Sequence, residues 1–528
     1  MSRNMVWLCL ALAPLPMVGQ DLPQTYSIAG TVVQSVTRAP LPRTRIHLYD
    51  YQHQKVLDST LTSSSGEFRF SGLTKAKYSL RAEHDVYGSQ IFGNKILRAV
   101  YGSAVAVGPG LDSENLVFEL IPGGVIKGIV RDSDSDPAPR IRLLAYRLTG
   151  PLKTAEAAGF AESNDLGAYR FHGLPQGRYI VSATGSPWNA DLQVSESLAT
   201  YPTTYQPGTT NLEQARLIDV APGIEAQADI TMTPVRAVNL TIRVSKFDCS
   251  DRNMAFLTSQ VGNLDIPATA YRLSARSRPA KDGSEQDCSL YAGSVTPGKY
   301  VLNVTSGLAQ LAIRTTIEVE EGREVIEVPL TPPATVTGRL TVTGAGINPP
   351  MVYLRVEGSP RTFPARVQAD GTFRFEGVPA YTYQVFVGDQ HPLAVTAMYG
   401  QGAKMAGGSV VIPESGKVEL NLTVDPNAQD LKGRVLSGGK PVAGVFAILV
   451  PKEEARWGVG LRMDQTDTDG TFRWLGVAPG DYLMFASAEG TELDYQNAGP
   501  LVEKFADRAI ALTVQPGTNQ SVELDLPE

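Results

Sequence analysis

Along most of this chain apolar and polar residues alternate in short runs, and the runs are cut every 8 to 12 residues by Gly, Pro, Asn or Asp. Val325-Ile326-Glu327-Val328 and Val522-Glu523-Leu524-Asp525-Leu526 show the two-residue period of strands with one buried face. Long stretches of helical period are scarce. The pattern predicts many short strands joined by turns.

One stretch of this pattern recurs. Gly66, Phe68, Phe70, Gly72, Leu73 and Tyr78 are repeated as Gly167, Tyr169, Phe171, Gly173, Leu174 and Tyr179. They return as Gly371, Phe373, Phe375, Gly377, Val378 and Tyr383, and again as Gly470, Phe472, Trp474, Gly476, Val477 and Tyr482. The first Gly and the Tyr are always 12 positions apart. Aromatic residues two apart place both rings on one face of a strand. The leading Gly, close behind Asp or Asn, suits a turn that requires positive φ. A degenerate copy keeps Val295, Pro297, Gly298 and Tyr300, with Leu290 at the first aromatic position and Cys288 in place of the leading Gly. An apolar-x-Gly-x-apolar element opens four of the units, as in Ile28-Ala29-Gly30-Thr31-Val32 and Leu431-Lys432-Gly433-Arg434-Val435.

Self-similarity at about a hundred residues predicts an all-β chain of five sandwich modules, spanning 26–124, 125–236, 237–333, 334–427 and 428–528. With 528 residues the chain exceeds what one core organises, which agrees. The pattern resembles the carboxypeptidase regulatory-like domain, an Ig-like or transthyretin-like β-sandwich grouped with carbohydrate-binding-like folds. The second module adds a long loop, Tyr201-Pro202-Thr203-Thr204-Tyr205-Gln206-Pro207-Gly208-Thr209, similar to one in large exported bacterial proteins. The resemblance implies the fold firmly and function only loosely.

Composition narrows the compartment and the partners. Arg3 followed by the apolar stretch Val6–Val18 reads as an export signal over residues 1–20, too short to span a bilayer. No later segment has 18 consecutive apolar residues, so an exported mature chain without a transmembrane segment is expected, in the periplasm, on the outer surface or outside the cell. A net charge of −7 without a Lys/Arg block gives no footprint for nucleic acid. Beyond the signal, Cys249 and Cys288 remain, both in the third module, and an exporting compartment permits a disulfide between them; two separate thiols are the alternative.

The family name invites a search for peptidase chemistry. A zinc carboxypeptidase needs His and Glu close in sequence with a distant His. His47, His53, His84, His172 and His391 are scattered, and none begins His-x-x-Glu. There is no Gly-x-Ser-x-Gly, and Ser437-Gly438-Gly439-Lys440 lies in a turn without companion motifs. Asp132–Asp136 begins like a calcium loop, but Pro137 and Leu143 occupy positions that need Gly and Glu. Asp464, Asp467 and Asp469 are a second oxygen-rich group, weighed as a weak ion site against a solvated turn. Lys127, Lys432 and Asn421 do not form a Lys–Asn–Glu cross-linking set within one module. Neither a catalytic residue nor a cofactor is expected.

Ligand binding is the remaining chemistry. Trp188, Tyr201, Tyr205 and Trp457 fall outside the repeat's core positions and are the candidate rings for stacking on sugars. The sequence therefore predicts an exported, non-catalytic structural or interaction protein of the cell envelope or extracellular space, whose partner is a polysaccharide or a cell-envelope protein. Polysaccharide binding through loop aromatics is the alternative, and an accessory role in a peptidase system a more distant one.

Overall fold

The computed structural model describes residues 24–526 apart from 52–53, 98–101, 150–153, 186–198, 245–253, 262–263, 279–286, 306–311, 329–332, 343–350, 357–361, 389–392, 407–408, 426–427, 490–497 and 518–519. The proposed signal, Trp188, His391 and Cys249 lie outside the described residues.

The chain is a tandem array of β-sandwich units with five separate main cores. These centre on Phe70 and Phe118, Phe171 and Tyr179, Leu290 and Tyr300, Phe375 and Tyr383, and Trp474 and Tyr482. In four units the opening strand is central to a small sheet, and in the third it lies within a larger one. It pairs antiparallel with the strand carrying the repeat's aromatics, or their counterparts in the third unit, and parallel with the closing strand. Tyr26–Gln34 lies between Glu67–Leu73 and Leu116–Leu120, and Gln429–Ser437 lies between Thr471–Val477 and Ser521–Asp525. A second sheet, such as the one built on Arg45–Asp50 and Ala76–His84, covers the other side of the core. Phe68 and Phe70 are 5% and 2% exposed, while Arg69 between them is exposed, as a period of two requires.

The repeat's fixed positions have physical causes. Its final Tyr donates a hydrogen bond to the carbonyl four residues earlier in all five units. The distances are Tyr78 to Thr74 3.0 Å, Tyr179 to Pro175 2.6 Å, Tyr300 to Thr296 2.9 Å, Tyr383 to Pro379 2.9 Å and Tyr482 to Ala478 2.7 Å. The hydroxyl thereby closes the tight connection between two strands while the ring fills the core. The Gly of the opening strand permits a close approach. A Cβ on Gly30, Gly128 or Gly338 would stand 1.9–2.2 Å from a carbonyl oxygen of the parallel neighbour.

The third unit departs where its sequence does. The strand Leu264–Arg278 runs on from its pairing with Met254–Val261 to pair with Asp287–Val295, so the two sheets join into one of seven strands. At the position of the repeat's second Gly stands Ser294, which keeps the left-handed conformation with φ 55°, as Gly72, Gly173, Gly377 and Gly476 do with φ 60–76°. An L-residue there carries a steric penalty of about 1–2 kcal/mol, partly offset by the larger chain entropy a Gly would lose. Ser294→Gly is expected to stabilise the third unit by about 0.5–1 kcal/mol, read as a rise in its urea midpoint. An unchanged or lower midpoint would count against the strain. Cys288 sits on the strand Asp287–Val295, opposite Val244.

The second module's long loop is partly a strand. Ala199–Tyr205 pairs with Gly177–Gly185, and the chain turns back after it through a cis Gln206–Pro207 bond flanked by reciprocal backbone hydrogen bonds between Tyr205 and Thr209.

Candidate functional site

The most elaborated polar cluster lies where the first and fifth units meet. In units one, two, four and five the turn before the leading Gly has one form, in which the N–H of Ser63, Asn164, Gln368 or Asp467 reaches the carbonyl four residues on. Asn164 closes its own turn, its side-chain oxygen accepting from the N–H groups of Leu166 and Ala168. Asp467 instead points its side chain out of the turn, and its Oδ1 accepts the N–H of Ala104 at 2.7 Å.

That contact is one of a ladder of five. Thr468 N–H donates to Ala104 O at 3.0 Å, and Ala106 N–H donates to Thr468 Oγ1 at 2.8 Å. Ser103 Oγ donates to Thr466 O at 2.8 Å, and Gln465 Nε2 to Gly93 O at 2.6 Å. The fifth unit's turn therefore caps the strand Val105–Val107, an edge of the first unit's second sheet whose residues are fully buried. An unpaired edge of this kind is a template for further pairing, and covering it removes that exposure.

A charge cluster locks the ladder. Lys77 lies opposite Ala106 on the neighbouring strand Ala76–His84. Its ammonium is 2.5 Å from Asp467 Oδ2, 3.3 Å from Asp469 Oδ1 and 2.5 Å from Thr471 Oγ1. The Asp467 side chain is 8% exposed and that of Lys77 30%. The oxygen-rich group weighed in sequence as a solvated turn or a weak ion site thus has a lysine ammonium of another module among its oxygens. Among the described residues no group of three or more His, Cys, Asp or Glu is arranged to hold a metal. The acidic run at Asp132 is a self-capped turn, with Asp132 Oδ1 accepting the N–H groups of Asp134 and Asp136.

Burial sets the proton affinities here. Burial raises the Asp464 pKa from its ordinary 3.8 to about 6. Hydrogen bonds from the N–H groups of Arg473 and Gln465 oppose the shift, Asp467 adds to it and Lys77 reduces it. Asp467 is also raised, chiefly by burial, against the pull of Lys77. Asp469 is held below its ordinary value despite its burial, by the Thr471 hydroxyl and Lys77. Across the junction, burial together with Asp467 and Asp464 pushes Tyr51 up to about 12.

A carboxyl whose folded pKa is raised costs nothing below the unfolded value and carries its full penalty above the folded one. Stability of the fifth unit is therefore expected to fall as pH rises from about 4 to about 6, by an amount on the order of 2–3 kcal/mol for Asp464. Urea unfolding at pH 4 and pH 7 measures it. Asp464→Asn should flatten the slope, and an unchanged slope would remove Asp464 as its source.

Of the sequence-selected rings, Tyr201, Tyr205 and Trp457 are described. Tyr201 is 6% exposed in the second unit's main core. Tyr205 is 4% exposed, in a satellite cluster with Tyr146 and Ile180 on the opposite face of the sheet. Trp457 opens the short helix Trp457–Gly460; its indole N–H donates to Pro451 O at 2.9 Å, and its ring packs beside Phe446, Phe485 and Phe505. The structure does not bring these rings together, and neither tyrosine presents an open ring face. Lys127 pairs with Glu225, and Asn421 accepts the N–H of Arg339 while donating to Glu419.

These features define a tandem β-sandwich protein whose first and last units dock on one another. Residues 27–117 match the model of the carboxypeptidase regulatory-like domain, so the first module carries that family's signature. None of the curated proteins matches the chain. Among solved structures, the Bacillus anthracis TIE protein is 11% identical, covering 77% of this chain and 75% of its own, with a TM-score of 0.17. The minor pilin GBS52 of Streptococcus agalactiae is 15% identical over 39% of this chain and 96% of its own, with a TM-score of 0.22. Two B repeat units of the collagen binding protein of Staphylococcus aureus are 12% identical over 76% and 100%, with a TM-score of 0.13.

Proposed function

We propose that this chain is an exported, non-catalytic structural protein of the cell envelope or extracellular space, and that its five modules work as one closed scaffold. The contact between the first and fifth modules carries the reading. Neighbouring modules also touch: Thr203 approaches Ser259 between the second and third, Tyr381 donates to Asn303 between the third and fourth, and Val459 of the fifth packs against the fourth module's core. With the docking of first on fifth, the chain returns to its start. Asp467, whose pKa burial raises, bonds the first module rather than facing an open cleft. The Arg3-led apolar segment supports export, and Cys249 with Cys288 would suit an oxidising compartment.

Fractionation of cells producing the full chain, with mass analysis of the mature N-terminus and a free-thiol titration, tests this. Recovery from the envelope or medium, shortened near residue 20 and without free thiols, is the expected result. A full-length, reduced chain in the cytoplasm would overturn the export reading.

A further inference from the structure

The contact between the first and fifth modules joins two unlike surfaces, and every copy of the chain carries both. One half is the edge of the first module's second sheet, where Gly93, Ser103, Ala104 and Ala106 meet the fifth module beside the Lys77 ammonium. The other half is the fifth module's turn at residues 465–469, with Thr471 behind it. The halves are complementary in charge as well as in hydrogen bonding. Lys77 of the first meets Asp467 and Asp469 of the second, while Arg473, the cation nearest those carboxylates on the fifth module, is paired with Asp430.

The chemistry of this contact lets it open. Among the described residues no hydrophobic cluster spans it: the core around Phe70 and Phe118 and the one around Trp474 and Tyr482 share no member. The junction of the fourth and fifth modules differs, since Val459 of the fifth packs against the fourth's core. Two buried acceptors, Gln465 Oε1 and, next to Gly93, Asn94 Oδ1, meet no donor among the described residues. Such acceptors gain hydrogen bonds from water when the surfaces part. Each half also belongs to a unit with its own core, so each keeps its shape in the open chain.

We propose that this clasp is exchangeable, and that two copies of the chain form a reciprocal dimer in which the fifth module of each docks on the first module of the other. Parting the surfaces bares the strand Val105–Val107, an edge that templates further pairing. The surface that fits this edge is the turn carrying Thr466, Asp467 and Thr468, and a second copy presents it. Pairing of unlike surfaces between copies closes when two chains exchange modules, and neither half is then left bare. The dimer repeats the contacts of the single chain, so concentration decides between them: a dilute chain closes on itself, and crowded chains exchange. This inference rests on the closed-scaffold reading and gives it a partner, a second copy of the same chain.

Two full-length charge-reversed variants, Lys77→Glu and Asp467→Lys, test it. Each alone sets like charges against one another at its own clasp. Each should therefore be an open monomer, with a larger radius of gyration than the wild type in small-angle scattering and unchanged circular dichroism. In an equimolar mixture the native fifth-module turn of the Lys77→Glu chain meets the native Lys77 of the other chain, so a native clasp forms only between chains. Analytical ultracentrifugation of the mixture should show a species of twice the chain's mass, absent from either variant alone and dispersed by salt. Open variants whose mixture stays monomeric up to about 1 mM, the scale of effective concentration within a linked chain, would overturn the exchange and leave the closed scaffold standing. Variants as compact as the wild type would overturn both.

Discussion

Lys77→Met is expected to release the first module from the fifth. The substitution leaves Asp467 buried against Ala104 without its ammonium partner. Truncating one member of a buried, hydrogen-bonded charge pair costs roughly 2–5 kcal/mol, mostly the penalty of the charge left behind. Among the described residues the hydrogen bonds of the junction are otherwise the five of the ladder. Small-angle scattering should show a larger radius of gyration at pH 7, and amide exchange should quicken at Ala104 and Ala106, whose N–H groups face the fifth module. Because Asp467 already has a raised pKa, acidification should partly restore the closed form by neutralising it. Asp469→Asn, acting at 3.3 Å from the ammonium, should do less. A scattering profile unchanged by Lys77→Met would show that the ion cluster does not hold the junction.

The second large effect is expected from Trp474→Ala. The ring is 1% exposed and its N–H donates to Ala447 O at 3.0 Å. Removing it forfeits apolar burial, opens a cavity and loses a buried hydrogen bond, together about 3–5 kcal/mol. Since each unit has its own main core, the loss should fall on the fifth alone. Urea unfolding should split into an early phase for that unit and a later one for the rest, and the early phase should also free the edge strand of the first. Phe171→Ala should give a comparable early phase from the second unit with the junction intact. Equal destabilisation of all five units by Trp474→Ala would mean the scaffold unfolds as one cooperative body.

The repeat could be read in sequence because its constraints are local. A Gly at positive φ, two rings on one strand face and a Tyr bonded four residues back all act within 12 positions, and each demands a particular residue type. The junction was not legible for the opposite reason. Lys77 and Asp467 are 390 positions apart, and three aspartates before a turn look alike whether solvated, ion-binding or paired with a distant lysine. Tyr201 and Tyr205 read as loop residues through the resemblance to a long-loop module, yet the segment pairs as sheet with the neighbouring strand Gly177–Gly185 and both rings are buried.

The parallel pairing of first and last strands has a mechanical meaning. In the first module Gly30–Gln34 runs alongside Leu116–Leu120 in the same direction, and the fourth and fifth repeat the arrangement. Tension applied to a module through its two ends then pulls these strands past one another along their length. Every bond of the ladder is loaded at once, as in shear, instead of one after another as in unzipping. Under a stretching force the contact between first and last modules would part early and let the chain lengthen, while each sandwich holds until its whole ladder fails together.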